Sequence, residues 1–428
     1  MGDFVVRDAK TLDGQSVDIR IRDGVIDRVE RAGTLSAGEL EEERRFDAEG
    51  RLVTPSLTEP HLHLDYALAA GQPRWNEAGT LAEGIDIWAE YKQNLTKDDV
   101  KQRAARTAKW LVAHGVTRVR THADATEESL ATVEALLELR RELQDIIDIE
   151  VIAFPQDGIF TDEGNQALLR EAVEMDVDGI GAIPHAEPTR ETGVKSVKTV
   201  FDLARKSDLK VDMHIDETDD PGSRFTEVLA NEARRHSWGD RTTASHVAAL
   251  HSYPNSYASK LISLLAESGV SVITNPPDNS VLQGRHDDYP RRRGHTRIDQ
   301  LQDANITVGL GHDSIVDPWY HYGKGDPLDA AYILIHYAHM SGYDDVSVIW
   351  DMLTTANSDI FGCKNYGLEP GSEGSLVVYD SFSAFDTLRL RPPRRLVLKE
   401  GTPVARTRPS ETTVLQGDER TTVDFQRS

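Results

Sequence analysis

The sequence predicts a parallel (β/α)8 barrel of the TIM type, with a small β-sandwich built from both ends of the chain. Three observations predict it. Eight apolar, β-rich runs recur about 30 residues apart. Helical patterns lie between most of them. Polar residues of one chemical kind collect where the runs end, which is where barrel enzymes place their chemistry.

"RLVTPSLTEPHLHLD" (51–65) comes first, then "GVTRVRTHAD" (115–124), "IEVIAFPQD" (149–157) and "GIGAIPHAE" (179–187). "LKVDMHIDE" (209–217), "RTTASHVAAL" (241–250), "GVSVITNPPDN" (269–279) and "NITVGLGHDS" (305–314) complete the eight. Between them, "TKDDVKQRAARTAKWLVAHG" (96–115) has Thr96 as an N-cap candidate, apolar residues at helical spacing and a stop at Gly115. "TEESLATVEALLELRRELQ" (126–144) is acidic at its start and basic toward its end, which suits the helix dipole. "GNQALLREAVEM" (164–175) and "SVKTVFDLARKSD" (196–208) carry the same periodicity. A doubly wound sheet is the competing fold. It usually carries a glycine-rich phosphate turn after its first strand, and the sequence has none there.

The ends differ from the middle. "DIRIRDGVIDRVE" (18–30) and, far away, "GSLVVYD" (374–380), "RRLVLKEG" (394–401) and "TTVLQGDE" (412–419) are short strand patterns between turn signals. We expect residues 1–56 and 365–428 to form one small β-domain flanking a catalytic barrel over 57–364.

The bulk numbers bound the function. The 428 residues carry 72 acidic against 48 basic side chains, a net charge of −24, which argues against nucleic acid as a partner. An acid-rich, lysine-poor surface is consistent with a high-salt cytoplasm or with a merely acidic protein. The basic cluster "PRRRGHTR" (290–297) fits a solvated or ion-paired loop. One cysteine, Cys363, excludes an internal disulfide framework and a thiolate metal cluster, and is most simply a buried small residue. No apolar h-region opens the chain, and no run of about 18 apolar residues occurs, so we expect a cytoplasmic chain with no membrane partner.

The chemistry-bearing pattern begins at "TEPHLHLDYA" (58–67). Side chains at i and i+2 of a strand share a face, so His61 and His63 can reach one small ion. They can equally be two polar residues that alternate. The other run ends carry Gln156, His214 with Glu217 three residues on, His246, and His312 with Asp313. Taken singly, each histidine suits a hydrogen-bonded core position and each carboxylate suits a helix cap. Taken together they converge on one mouth. Three histidines and an aspartate make an N3O donor set, which suits a divalent transition metal such as Zn(II) or Fe(II) rather than Ca or Mg. Such an ion activates water near neutral pH.

The order H-x-H, His, Glu three later, His, Asp resembles the amidohydrolase superfamily. At finer grain the chain resembles the bacterial cytosine deaminase family, on "EPHLHLD", "AGQPRWNEAGTLAEGI", "IAFPQDGI", "GAIPH", "HIDETDD", "ASHVAALHSY", "LQGR", "YPRRRGHTR" and "GHDSIVDPWY". The similarity covers residues from about 50 to 380 and continues toward both ends. It implies one divalent ion, iron or zinc, held by His61, His63, His214 and Asp313. It implies Glu217 as proton shuttle, His246 as the residue that orients the attacking water with Asp313, and Gln156 as the partner of a pyrimidine's amide edge. It implies a free nucleobase as substrate, cytosine first, and a homo-oligomer. The "GIGAIPHAE" segment has no lysine to bridge two metals as in dihydroorotase-like relatives, so a mononuclear site is expected.

One departure stands out. After His312-Asp313 the family carries a second acid, and this chain has Ser314. A smaller, neutral side chain there suggests tolerance for an altered base such as 5-methylcytosine. Trp319 and Phe154 are expected to wall the pocket or to pack in the core. Asp65, Asp216, Asp219 and Asp220 are expected as caps or as supports of the histidines, and Leu282, Gln283 and Arg285 as part of a loop over the mouth. Related rings (isocytosine, isoguanine, creatinine, a triazine) are the alternative substrates, and a non-catalytic protein on the same fold is the alternative of another class.

Overall fold

The computed structural model describes residues 3–35, 44–408 and 410–426; the few other positions in the terminal ranges set out above lie outside the described residues. The first five strands are β1 (Phe4–Lys10), β2 (Ser16–Arg22), β3 (Val25–Arg31), β4 (Arg45–Asp47) and β5 (Val53–Pro55). The eight barrel strands follow: β6 (Leu57–Leu62), β7 (Val116–Asp124), β8 (Asp148–Phe154), β9 (Gly179–Ile180), β10 (Lys210–Ile215), β11 (Thr242–His246), β12 (Ser271–Thr274) and β13 (Val308–Leu310). Seven sit inside the apolar runs and β8 starts one residue before its run, and the sheet order is the chain order, all parallel. Strands buried on both faces read as continuous apolar stretches, which is why they were visible in the sequence.

The barrel closes where β13 meets β6. Leu62 and Asp313 form a parallel bridge, the Asp313 amide donates to the His61 carbonyl at 3.0 Å, and the His63 amide donates to the Asp313 carbonyl at 3.2 Å. The register of β6 on β7 shifts between Glu59 and Leu62. Pro60 lies in that interval and has no N–H for the ladder, so the irregularity falls on the turn of backbone that carries His61.

Helices pack outside. The first are α1 (Leu81–Lys92), α2 (Lys97–Ala113), α3 (Ala131–Glu142), α4 (Asn165–Val173) and α5 (Arg190–Ser207). Those over the second half are α6 (Thr226–His236), α7 (Asn255–Ser268) and α8 (Pro276–Leu282). Thr96 caps α2 by accepting from the Asp99 amide at 3.3 Å. The α3 helix starts at Ala131, later than the acidic run from 126 suggests. The Glu127 carboxylate instead accepts from the Ser129 and Ala131 amides, a side-chain turn that holds the segment before the helix. The α5 helix starts six residues before Ser196, from a capping box of Thr189 and Thr192.

Both ends of the chain supply the small β-region. Sheet β3-β2-β1-β4 faces a second sheet, in which β5 pairs with β14 (Leu376–Tyr379), then β15 (Arg394–Lys399) and β16 (Thr402–Arg406). Phe4, Ile19, Ile21, Val53, Val378 and Leu396 fill the space between the two, a core separate from that of the barrel. β17 (Thr412–Gln416) and β18 (Glu419–Val423) pair with each other as a hairpin of their own. The Cys363 side chain is half-buried rather than buried, with its sulfur 2.7 Å from Arg118 Nη1. No described helix is long and apolar enough to cross a membrane.

Candidate active site

The C-terminal ends of the barrel strands bring His61, His63, His214, His246 and Asp313 together in the interior, all buried. Asp313 Oδ1 lies 3.4 Å from His61 Nε2 and 3.6 Å from His63 Nε2. His63 Nε2 and His214 Nε2 are 2.9 Å apart. His246 Nε2 is 3.8 Å from Asp313 Oδ2, and its Nδ1 is 3.7 Å from Glu217 Oε1. His246 and Asp313 both leave their strands in the left-handed region, φ 72° each. That conformation costs a non-glycine residue roughly 1–2 kcal/mol. It turns both side chains inward at the rim.

The donor set fits a metal ion. Atoms about 2.1 Å from a common ion stand roughly 3–4 Å apart, which matches the separations just given. His61, His214, His246 and Asp313 each offer a ligand atom within 4.8 Å of the others, and so do His61, His63 and His122. Burial and neighbouring imidazoles hold His61, His63 and His214 well below the usual histidine range, so they are neutral, the form that ligates. Tautomer is set from behind. Ser245 Oγ donates to Asp212 Oδ1 at 2.7 Å and so accepts from His61 Nδ1 at 3.0 Å. That fixes the proton on Nδ1 and leaves the Nε2 lone pair, which has no other partner, toward Asp313. Burial raises Asp313 well above the carboxylate range, and the carboxyls of Asp278, Glu217, Asp317 and Glu59 add to it. A divalent cation would relieve that crowding.

Glu217 is buried beside this cluster, and burial pushes its carboxyl up to about 8. Burial likewise lowers His246 to about 3, helped by His185 and His122. Its ring is held by amides: Asn279 Nδ2 lies 3.1 Å from His246 Nδ1 and Asn275 Nδ2 lies 3.4 Å from it. Above lies a cavity of about 250 Å3. Gln156, with its Oε1 buried and unpartnered, stands on one side with Ile183 and His185. Asp278, Asp313 and Ser314, from the ends of strands seven and eight, stand opposite, Glu217 follows strand five, and Tyr66, Leu81 and Trp319 form an apolar wall. The ring of Phe154 stacks on His214 at 4.2 Å between centroids, and Phe154 itself does not line the cavity.

Trp319 packs against Tyr66 (4.5 Å between centroids) and Trp88, and against the backbone of α1 at Gly84. A Cβ at Gly84 would stand 2.6 Å from Trp319 Cδ1, so the helix can approach the indole only with glycine there. Gly84→Ala is expected to push Trp319 into the cavity. Overpacking of that kind costs about 1–3 kcal/mol. It should raise KM several-fold at unchanged metal content, measured by steady-state kinetics with metal analysis.

Other expected residues have different places. His312 bonds the Ser314 carbonyl through Nδ1 at 2.9 Å and takes no part in the cluster. Asp65 accepts from the Asp124 amide at 2.9 Å, and Asp216 accepts from Ser223, Phe225 and Thr226 to hold the approach to α6. Asp219 and Asp220 receive the Gly284 and Gly222 amides. Gln283 Nε2 donates to the Glu217 carbonyl at 3.3 Å, and Arg292 of the basic cluster donates to the Asp219 carbonyl at 3.1 Å while pairing with Asp287. The 283–292 loop is thereby pinned to the Glu217 segment.

Sequence reasoning missed His122, Asn275, Asp278, Asn279 and the Asp212–Ser245 support. Asn275, Asp278 and Asn279 all sit in "NPPDN", directly after strand seven, where their position on the rim was the available signal. Ser314 does not stand alone in the wall: its Oγ donates to Asp278 Oδ2 at 2.6 Å, so a carboxyl from the neighbouring strand end, which burial pushes well above the usual carboxylate range, stands beside it.

Comparison with known proteins agrees with this architecture. The profile of the amidohydrolase family matches residues 44–135 and 78–417. The structure superposes on that of 5-methylcytosine deaminase from Klebsiella pneumoniae liganded with 5-fluorocytosine with a TM-score of 0.91 and 39% identity, covering 95% of this chain and 98% of that one. N-isopropylammelide isopropyl amidohydrolase of Pseudomonas sp. strain ADP is 30% identical over 411 residues, 93% of this chain and 96% of that protein. Pterin deaminase of Rhizobium rhizogenes is 26% identical over 397 residues, 92% of this chain and 88% of that protein. With a family profile over most of its length and a curated relative at this identity, the chain belongs to the amidohydrolase family, hydrolases that act on C–N bonds.

Proposed function

We propose that the protein is a metal-dependent aminohydrolase of a free aminopyrimidine, cytosine or 5-methylcytosine, releasing ammonia and the keto base. One observation carries the reading: a buried Glu217, raised to about 8, faces a cavity of about 250 Å3 between Gln156 and the His/Asp cluster. That volume suits one small ring. The likeness to the Klebsiella pneumoniae 5-methylcytosine deaminase supports the substrate class.

His61, His63, His214 and Asp313 would hold one divalent ion, iron or zinc, which supplies Lewis-acid activation of the attacking water. The chain's own groups then do the proton work. Gln156 presents an amide to the amide edge of the ring and so sets its orientation. His246 and Asp313 position the water over the amidine carbon. Glu217 takes a proton from that water and delivers it to the adjacent ring nitrogen, so the C=N electrons have a destination. It then moves the proton of the hydroxyl now on that carbon to the amino group, the C–N bond breaks as the C=O bond forms, and ammonia leaves. The carbonyl remains. A carboxyl near neutrality both accepts and donates, as these two transfers need.

A larger ring system is the second reading. An outer chamber of about 750 Å3 shares Leu81, Ile85, His185 and Leu282 with the inner cavity and could take a substituent. The Pseudomonas relative acts on N-isopropylammelide by its name. Ammonia or amine release should be assayed with iron- and zinc-loaded protein on cytosine, 5-methylcytosine, isocytosine, isoguanine, creatinine and N-isopropylammelide. The expected result is highest kcat/KM on cytosine or 5-methylcytosine. Preference for the triazine would replace the first reading with the second, and turnover of none would remove both.

A further inference from the structure

Asp278 is buried at the start of α8, directly after strand seven. Its Oδ2 accepts from Ser314, but its Oδ1, equally buried, has no partner. Both residues line the inner cavity with Glu217 and Asp313. A buried carboxyl oxygen without a donor is costly unless a ligand brings one. Its location says which part of a ligand. Strands three and seven stand on opposite sides of an eight-stranded barrel, and Gln156 enters from the end of strand three. A pyrimidine whose amide edge (N1–H and C2=O) meets Gln156 turns its far edge, C4 and C5, toward strand seven.

We propose that Asp278 is a specificity-determining residue whose free Oδ1 accepts a hydrogen bond from the exocyclic amino group that the reaction expels. The proposal rests on the aminopyrimidine reading above. An amino group donates, whereas the carbonyl that replaces it offers only lone pairs. The same oxygen thus attracts the substrate and repels the product at one atom, which favours product release. Ser314 is a positioning residue: its hydroxyl occupies Oδ2 and leaves Oδ1 for the ring.

Asp278→Asn and Ser314→Ala test this in the metal-loaded protein, with cytosine and 5-methylcytosine as substrates and uracil and thymine as product inhibitors. Asparagine keeps the shape and can place an N–H where the free oxygen stood. In Asp278→Asn, KM should rise at least about tenfold while the inhibition constant of the keto base falls. Calorimetric binding of uracil should tighten in parallel. In Ser314→Ala, KM should rise by a smaller factor with kcat nearly kept. Substrate and product affinities that shift together, or neither shifting, would overturn the proposal. If Asp278→Asn does not fold, an unchanged KM in Ser314→Ala overturns it. Should the wild type deaminate no pyrimidine, the functional reading falls first. Binding of amino against keto rings to wild type and Asp278→Asn then still decides the role of Asp278: an amino preference lost in the variant supports it, and an unaltered preference ends it.

Discussion

Glu217→Gln is expected to lower kcat by about 10² to 10⁴-fold, the usual range for loss of a general acid–base. The reason is geometric and electrostatic together. Glu217 lies between His246, 3.7 Å away, and the substrate cavity, and burial holds its carboxyl at about 8. Glutamine keeps the volume and the hydrogen-bonding shape but cannot carry a proton. Metal content and thermal midpoint should stay at wild-type values, because the side chain lies outside the donor set proposed for the ion. Binding of the keto base should also survive. A metal-loaded variant that keeps a tenth of wild-type kcat would show that Glu217 is not the proton carrier.

Asp326→Asn is expected to cost about 3–5 kcal/mol of stability, the range for breaking a buried ion pair. Asp326 and Arg394 are both almost fully buried and pair bidentately, one contact at 3.1 Å. The same carboxylate caps the helix that follows, accepting from the Leu328 amide at 3.0 Å. Arg394 Nε donates to the His114 carbonyl at 3.0 Å. One pair therefore joins the end of α2, the segment after strand eight and β15. Burial alone would raise the Asp326 carboxyl, yet Arg394, His114 and Lys324 bring it down to about 2. The folded value lies below the 3.8 of a free aspartate, so the stabilisation is full above about pH 4 and is lost as pH falls toward 2. The wild type should lose thermal stability across that window. Asp326→Asn should start lower and change less there, by calorimetry at stepped pH. Equal midpoints at pH 7 would show that the pair does not hold the seam.

The barrel was legible because its strands are buried on both faces and its helices keep an apolar stripe. Thr96 was legible as a cap because the run behind it is regular. Strand four was visible only as a run: β9 is two residues long, and Gly179 and Gly181 flank a close approach. A Cβ at Gly181 would stand 2.5 Å from the Asp212 carbonyl oxygen. The histidines showed because several fell at strand ends. Asp278 did not show, since "NPPDN" has the composition of a turn, and only the fold makes that turn a short helix across the mouth. The Asp212–Ser245 support was invisible for another reason. The two lie on adjacent strands at positions 33 apart in the chain, and nothing in either segment names the other.

The pairing of β5 with β14 sets a schedule for synthesis. Thr54 lies opposite Val377, and the chain enters the barrel only two residues beyond β5. A ribosome must therefore complete all eight barrel strands before that early strand meets its partner. During elongation β5 waits with an open edge, and it is here that a stalled or truncated nascent chain should recruit chaperones.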